Sequence, residues 1–248
     1  MSGDADFDSL YRGARSTQES PALAPWDIGG PQPVVQQLVA YGALRGKVLD
    51  PGTGPGHHAI YYASKGYSAT GIDESPTAIE RARRNAERAG VEVNFQVGDV
   101  TELAGFEDQF DTVVDVACYH VFDGDDELQT RYAQALHRAT KPGARLFMFE
   151  DGRGNINGLQ LEGVAVENFE RVLPTAGWRI EYLGTATYQS IFSPEVFAHM
   201  YDALAASNRP QDAELIRPWE ERIRMMEPLL ENHRVHLPIW VVHATRVD

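Results

Sequence analysis

Val48-Leu49-Asp50-Pro51-Gly52-Thr53-Gly54-Pro55-Gly56 is the stretch that decides the fold. A short extended run enters a bend with glycine at every second position, and residues 58–64 then read as a helix. Glycine has no Cβ, so Gly52, Gly54 and Gly56 let the backbone approach a ligand closely and take up positive φ where the bend requires it.

The same alternation extends outward from this bend. Upstream, Val34, Val35, Leu38, Val39 and Leu44 recur at helical spacing across residues 33–44, with Gly46 as the stop. Downstream, residues 67–73 form a second strand. Ser75-Pro76 then supplies an N-cap and a first-turn proline for a helix with Ala78, Ile79, Ala82 and Ala86 on one face, closed by Gly90. Residues 91–97 and 110–116 read as the third and fourth strands. Asp125 and Asp126 open a helix carrying Leu128, Tyr132, Ala135 and Leu136 on one face, which Lys141-Pro142-Gly143 ends before a fifth strand at 145–150. Strands alternating with helices imply right-handed crossovers, so the expected fold class is α/β, a doubly wound and mostly parallel seven-stranded sheet.

Beyond residue 150 the pattern is less regular. A helix at 164–173, a strand at 178–188 and a last strand at 239–246, antiparallel at the sheet edge, are expected. Between the last two strands, residues 192–237 look helical. Ser193-Pro194 starts one segment with Val196, Phe197, Met200 and Leu204, and a second holds Leu215, Trp219, Ile223 and Met226. The 248 residues, 43% hydrophobic and 23% charged, suit one domain over 1–248. Within it we distinguish an N-terminal arm or lid at 1–32, a ligand-binding half at 45–150 and a helical insertion at 190–237. The first 25 residues are read as an arm or short helix outside the core.

Charge narrows the partners. With 22 Lys and Arg against 36 Asp and Glu the formal charge is −14, a field that repels nucleic acid and anionic membrane. The single cysteine, Cys118, rules out an internal disulfide and suits a reducing cytoplasm. The acidic start lacks a secretory pattern, and no run of about 18 apolar residues exists. A cytoplasmic protein, monomer or homodimer, is expected.

In a doubly wound sheet, ligands bind at the carboxyl ends of the strands. Asp73 ends the second strand about 20 residues past the glycine bend, where a carboxylate accepts from both ribose hydroxyls. Asp99 in Gly98-Asp99-Val100 ends the third, within reach of an adenine amine. A pyrophosphate cofactor needs G-x-G-x-x-G aimed at a helix N-terminus, whereas the spacing here is G-x-G-x-G with Asp50 two residues ahead. That carboxylate suits a cofactor with an ammonium and a sulfonium, S-adenosylmethionine. No G-x-x-x-x-G-K-[ST] run is present, which excludes a P-loop ATPase.

The residues at 48–56, Gly71-Ile72-Asp73, Gly98-Asp99-Val100, Phe110-Asp111-Thr112-Val113-Val114-Asp115 and Lys141-Pro142-Gly143 together resemble the successive motifs of class I S-adenosylmethionine-dependent methyltransferases, which have a Rossmann-like fold. Pro51 and Thr53 depart from the aliphatic residue and cysteine of many members. Arg12-Gly13, Pro25-Trp26-Asp27-Ile28-Gly29 and Pro31-Gln32-Pro33 resemble the N-terminal arm of the small-molecule branch, which includes thiopurine methyltransferase-like enzymes and the mycobacterial enzymes acting on heterocyclic toxins and hydroxyquinolones. The resemblance implies a cofactor site of Trp26, Asp50, Gly52, Thr53, Gly54, Gly56, Asp73, Glu74, Asp99, Val100 and Ala117, with S-adenosylhomocysteine as product. It also implies an acceptor pocket of Trp26, Tyr119, His120, Phe122 and Phe192, with Trp26 as lid residue.

After the fourth strand stands Ala117-Cys118-Tyr119-His120-Val121-Phe122, where amino-methylating enzymes would carry Asn/Asp-Pro-Pro-Tyr. Its absence and the charge argue against a DNA, RNA or ribosomal-protein substrate, while the family resemblance and the aromatic segment imply a small aromatic or heterocyclic acceptor, methylated at a hydroxyl oxygen, ring nitrogen or thiol. His120, near-neutral in pKa, is the catalytic candidate, as base or as acceptor-orienting group. The adjacent His57 and His58 cannot share a metal from one helix face, and Asp151 lacks a carboxylate set for magnesium, so no metal is expected. The insertion at 190–237 is left as pocket cap or dimer interface. Two rivals stand: a non-catalytic S-adenosylmethionine or nucleoside-binding regulator, and an NAD-dependent oxidoreductase.

Overall fold

The computed structural model describes residues 7–12, 24–156, 159–161, 163–206, 214 and 223–248. Seven strands form one sheet: β1 (Lys47–Pro51), β2 (Ser68–Asp73), β3 (Asn94–Val97), β4 (Phe110–Val116), β5 (Thr140–Asp151), β8 (Trp178–Ile191) and β9 (Arg234–Arg246). Their order is β3-β2-β1-β4-β5-β9-β8. The first five pair in parallel, and only β9 runs antiparallel to both neighbours. The chain order therefore reverses beside β1, which aims the glycine bend into the crevice at the strand ends.

Local chemistry explains the elements. Helix α4 (Pro76–Ala89) begins at Ser75, whose hydroxyl accepts from Ala78 N at 3.0 Å, and stops at Gly90 in the left-handed region. Its Ala78, Ile79, Ala82 and Ala86 are buried. Helix α5 (Asp126–Ala139) is capped by Asp125, which accepts from Leu128 N at 2.9 Å. Helices α2 (Pro33–Ala40), α3 (His57–Ser64) and α4 cover one face of the sheet through Val35, Leu38, Ala59, Tyr62 and Ile79. Helices α5 and α6 (Val166–Thr175) cover the other through Tyr132, Leu136, Phe169 and Leu173. Trp178 is fully buried at the start of β8, with its indole N–H donating to Ala133 O at 3.0 Å.

Several expectations are corrected. The last strand lies between β5 and β8, so β8 forms the edge; the register runs from Trp178↔Arg246 to Ile191↔Arg234. Helix α2 ends at Ala40, with Gly42 taking the positive φ, because Gly46 is already needed at the entry to β1 beside Asp111. Lys141-Pro142-Gly143 belongs to β5. A hairpin of β6 (Gly154–Ile156) and β7 (Leu159–Leu161) follows β5 and was not foreseen.

The N-terminal arm joins the core. Helix α1 (Phe7–Arg12) buries Leu10 and Tyr11, and Leu10 packs with Phe192, Val196 and Phe197 around α7 (Pro194–Ala205). The insertion is helical at α7 and at 223–226, but β8 and β9 extend into both of its ends. Leu215 and Trp219 lie outside the described residues, as do residues 1–6 and 13–23 of the arm. Among the described residues no helix is long and apolar enough to cross a membrane.

Candidate active site

The glycine bend is wound as its sequence demands: Gly52, Gly54 and Gly56 have φ of 66°, 51° and 82°. A Cβ on Gly52 would stand 2.8 Å from Cys118 Sγ, so the β1 bend and the turn after β4 meet at this point. Burial pushes the Cys118 thiol well above its usual range, and it acts as a small packed residue.

Asp50 faces inward as a latch for the bend. Its Oδ2 accepts from Thr53 Oγ1 at 2.5 Å and from Ala59 N at 3.2 Å, which caps the first turn of α3. Burial raises its pKa to about 7, against the opposing pull of those two bonds. Asp73 joins β2 to the bend: Oδ2 accepts from Gly54 N at 2.8 Å and Oδ1 from Ser75 N at 2.9 Å. Burial also raises its pKa. Each oxygen keeps a second lone pair for a hydroxyl donor. Asp99 accepts from Thr101 N and Oγ1 at 2.7 Å through Oδ1, and its side chain is 53% exposed. Glu74 is exposed beside Asp73, and Val100 is partly buried against the core.

These residues fit the adenosyl group and amino-acid tail of S-adenosylmethionine. Close approach at the bend depends on the missing Cβ atoms, and acidic groups stand at three strand tips. Phosphate would meet Asp50 and Asp73 at the bend.

Ala117, leaving β4, has φ 63° and donates its N–H to Phe149 O at 2.9 Å. A non-glycine residue in this region is strained, and such strain gathers at functional turns. Ala117→Gly should stay within about 0.5 kcal/mol of the parent in urea unfolding, whereas β-branched Ala117→Val should lose about 2 kcal/mol.

The short helical turn at Tyr119–Phe122 follows. Tyr119 is fully buried against Phe169 and Tyr132 and donates its hydroxyl to Asn168 Oδ1 at 2.5 Å; Phe122 packs on Tyr132. Both therefore support the turn from beneath, while His120 stays 21% exposed at its rim. Glu150 Oε2 accepts from His120 N at 3.0 Å and lies 3.0 Å from Nδ1; Asp151 Oδ2 lies 3.6 Å from Nε2. Burial alone would lower the His120 pKa, but Asp151 and Glu150 outweigh it and lift it to about 9.

The arm is pinned over this region. Pro25 O accepts from Ile191 N at 2.7 Å, and the Gln32 side chain bonds Gln189 N and O at 2.9 Å each. Trp26 is partly buried between the α2–α4 side and the α7 cluster, so its segment is anchored to β8. Phe192 is buried in that cluster, edge-on to Phe197. Sequence reading missed four contributions. Tyr11 brings its hydroxyl within 3.0 Å of where a Gly54 Cβ would stand. Asp27 lies 3.0 Å from His57 Nε2. Partly buried His58, its pKa depressed by desolvation to about 3, accepts from Gln32 N at 3.3 Å. The fourth is the pair Asp115 and Glu150, whose only sequence signal is an acid inside an apolar strand.

Strand order, reversed last strand and glycine-to-carboxylate geometry are those of the Rossmann-like class I methyltransferase fold. In agreement, residues 48–143 match the methyltransferase domain family. The chain is 39% identical over 139 residues to a 2-heptyl-1-hydroxyquinolin-4(1H)-one methyltransferase of Mycobacteroides abscessus, covering 56% of this chain and 60% of that one. The match thus spans less than two thirds of that relative's length. A probable thiol methyltransferase of Arabidopsis thaliana is 29% identical over 157 residues, 62% of this chain and 68% of its own. A solved structure described for conversion of a disulfide bond into a thioacetal group during echinomycin biosynthesis superposes with a TM-score of 0.71 at 29% identity, over 97% of this chain and 91% of that one.

Proposed function

We propose that this chain transfers the methyl group of S-adenosylmethionine to an acidic oxygen, or a thiol or ring nitrogen, of a small aromatic or heterocyclic molecule. Bound S-adenosylmethionine supplies a methyl group already activated on a sulfonium. Held by Asp73 and Asp99, it would give that methyl to the acceptor's lone pair, with the carbon–sulfur electron pair left on sulfur. The protein supplies alignment and a dry pocket. Asp73 and Asp99 hold the adenosyl group, Asp50 and Thr53 keep the bend in shape, and Trp26 closes the acceptor side.

The observation that carries the acceptor class is His120, held between two carboxylates on the turn that touches the bend. At neutral pH it is an imidazolium, so it orients an acceptor that has already lost its proton. The 3.6 Å to Asp151 exceeds a hydrogen bond and leaves the Nε2 proton open to an anionic oxygen. The mycobacterial relative, named for an N-hydroxyquinolone, supports such an acceptor. The reading includes a single cytoplasmic domain that is monomeric or dimeric and acts on no nucleic acid, supported by the charge of −14.

The test is incubation with isotopically labelled S-adenosylmethionine and a panel of N-hydroxyquinolones, phenols and thiols, read by mass spectrometry. A labelled methyl ether or thioether is expected. Cofactor binding without any product would instead favour a regulator. The sign of the pH dependence follows from His120: its charge is full near neutrality and is lost as pH rises through about 9. His120→Gln should therefore lower kcat/KM by about 10- to 100-fold and abolish the alkaline limb. An alkaline limb unchanged in the variant would remove His120 from the mechanism.

A further inference from the structure

The turn that carries His120 rests on Asp115 from β4 and Glu150 from β5, both at 0% exposure. Two buried carboxylates at hydrogen-bonding range cannot both stay charged, because each loses its hydration and each repels the other. The bonds around them limit where a shared proton can sit. Asp115 Oδ1 accepts from Cys118 N at 3.1 Å, and Oδ2 accepts from the Tyr132 hydroxyl at 2.8 Å. Glu150 Oε2 serves His120 twice, through N and Nδ1. Glu150 Oε1, fully buried, has no donor when both acids are written as carboxylates, although the Asp115 carboxyl lies in hydrogen-bonding contact with Glu150. A proton on Asp115 directed at Glu150 gives that acid a donor it otherwise lacks and leaves the negative charge on the acid next to the imidazole.

We infer that Asp115 is a neutral carboxylic acid donating to Glu150, and that this one-proton pair keeps an anion against His120 and so keeps its imidazolium aimed at the acceptor. The consequence for the acceptor rests on the function proposed above; the protonation does not. Burial, then the neighbouring Glu150, push the Asp115 carboxyl well above the usual carboxylate range, in the same direction. The groups facing the pair are Cys118 and Tyr119 on the turn, Tyr132 on α5, Asp151 on β5, and Arg171 on α6, which acts through Tyr119. Strand β9 adds the uncharged Trp240 opposite Glu150. Asp115 sits behind the turn and is a positioning residue, acting through Glu150 and His120.

Infrared spectroscopy of the wild-type protein at neutral pH, with and without ¹³C-aspartate labelling, should show a protonated-carboxyl stretch that moves with the label. Asp115→Asn, which keeps a donor toward Glu150, should lose that band and retain the raised His120 titration followed by NMR. Glu150→Gln should drop the His120 midpoint from about 9 to roughly 6.5 or below. At about pH 8 that change cuts the imidazolium fraction, and with it kcat/KM, by roughly 30-fold. Absence of the band in the wild type overturns the inference, as does an Asp115→Asn variant whose His120 titrates as low as that of Glu150→Gln. The wild-type spectrum decides the matter even if a variant fails to fold. A band without any methylated product would sink the proposed function alone; methylation without the band would sink the pair alone.

Discussion

Asp73→Ala is expected to weaken S-adenosylhomocysteine binding by about 100-fold or more, measured by titration calorimetry. Two ribose hydroxyls donating to one carboxylate make charge-assisted bonds worth roughly 1.5–3 kcal/mol each, and every 1.4 kcal/mol is about tenfold. The same oxygens hold Gly54 N and Ser75 N, so the variant also unfolds at lower temperature, with two buried N–H groups left unpaired. Comparing affinities well below the transition separates the two effects. Asp99→Ala, at a half-exposed side chain, should cost only about tenfold. A folded Asp73→Ala protein with parental affinity would refute the adenosyl site.

Gly56→Ala should be strongly destabilising. The residue has φ 82°, and the added Cβ would lie 2.6 Å from the Phe95 ring and 2.9 Å from Ala82 Cβ. Phe95 is 5% exposed and Ala82 sits on a helix, so neither can withdraw. Left-handed strain of about 1–2 kcal/mol adds to overpacking of about 1–3 kcal/mol. A loss of roughly 2–5 kcal/mol corresponds to roughly 5–20 °C in Tm for a chain of this size. Gly90→Ala, with similar φ and nothing within 4 Å, should show only the strain. Equal losses at the two positions would show that packing at the bend is not tight.

What the sequence disclosed was local chemistry. The glycine bend, the Ser75 and Asp125 caps and the apolar face of α4 follow from contacts a few residues apart, and all appear where the residues place them. Neighbour choice among strands is different. Residues 239–246 read as a strand with no hint that they pair on both sides, because pairing partners 50 to 100 residues away leave no periodic trace. On the proposed adenosyl side the sequence points to Asp73 and Asp99 because they stand at or just past the tips of their strands. Asp115 and Glu150 were not legible, since each looked like one polar residue in an apolar run, and only their convergence under His120 gives them a chemistry. Tyr119 and Phe122 illustrate the converse: proximity to His120 in sequence does not make a residue a pocket wall, and the tight turn sends both rings into the core.

The place of β9 has a consequence for biosynthesis. Its thirteen residues knit β5 to β8, yet they leave the ribosome after every other strand of the sheet. Until then the growing chain exposes two unpaired backbone edges, the condition under which nascent proteins recruit chaperones or stick to one another. Closure of the sheet is thus a late, long-range event, and maturation of this fold waits on β9 rather than on the glycine bend that announces it.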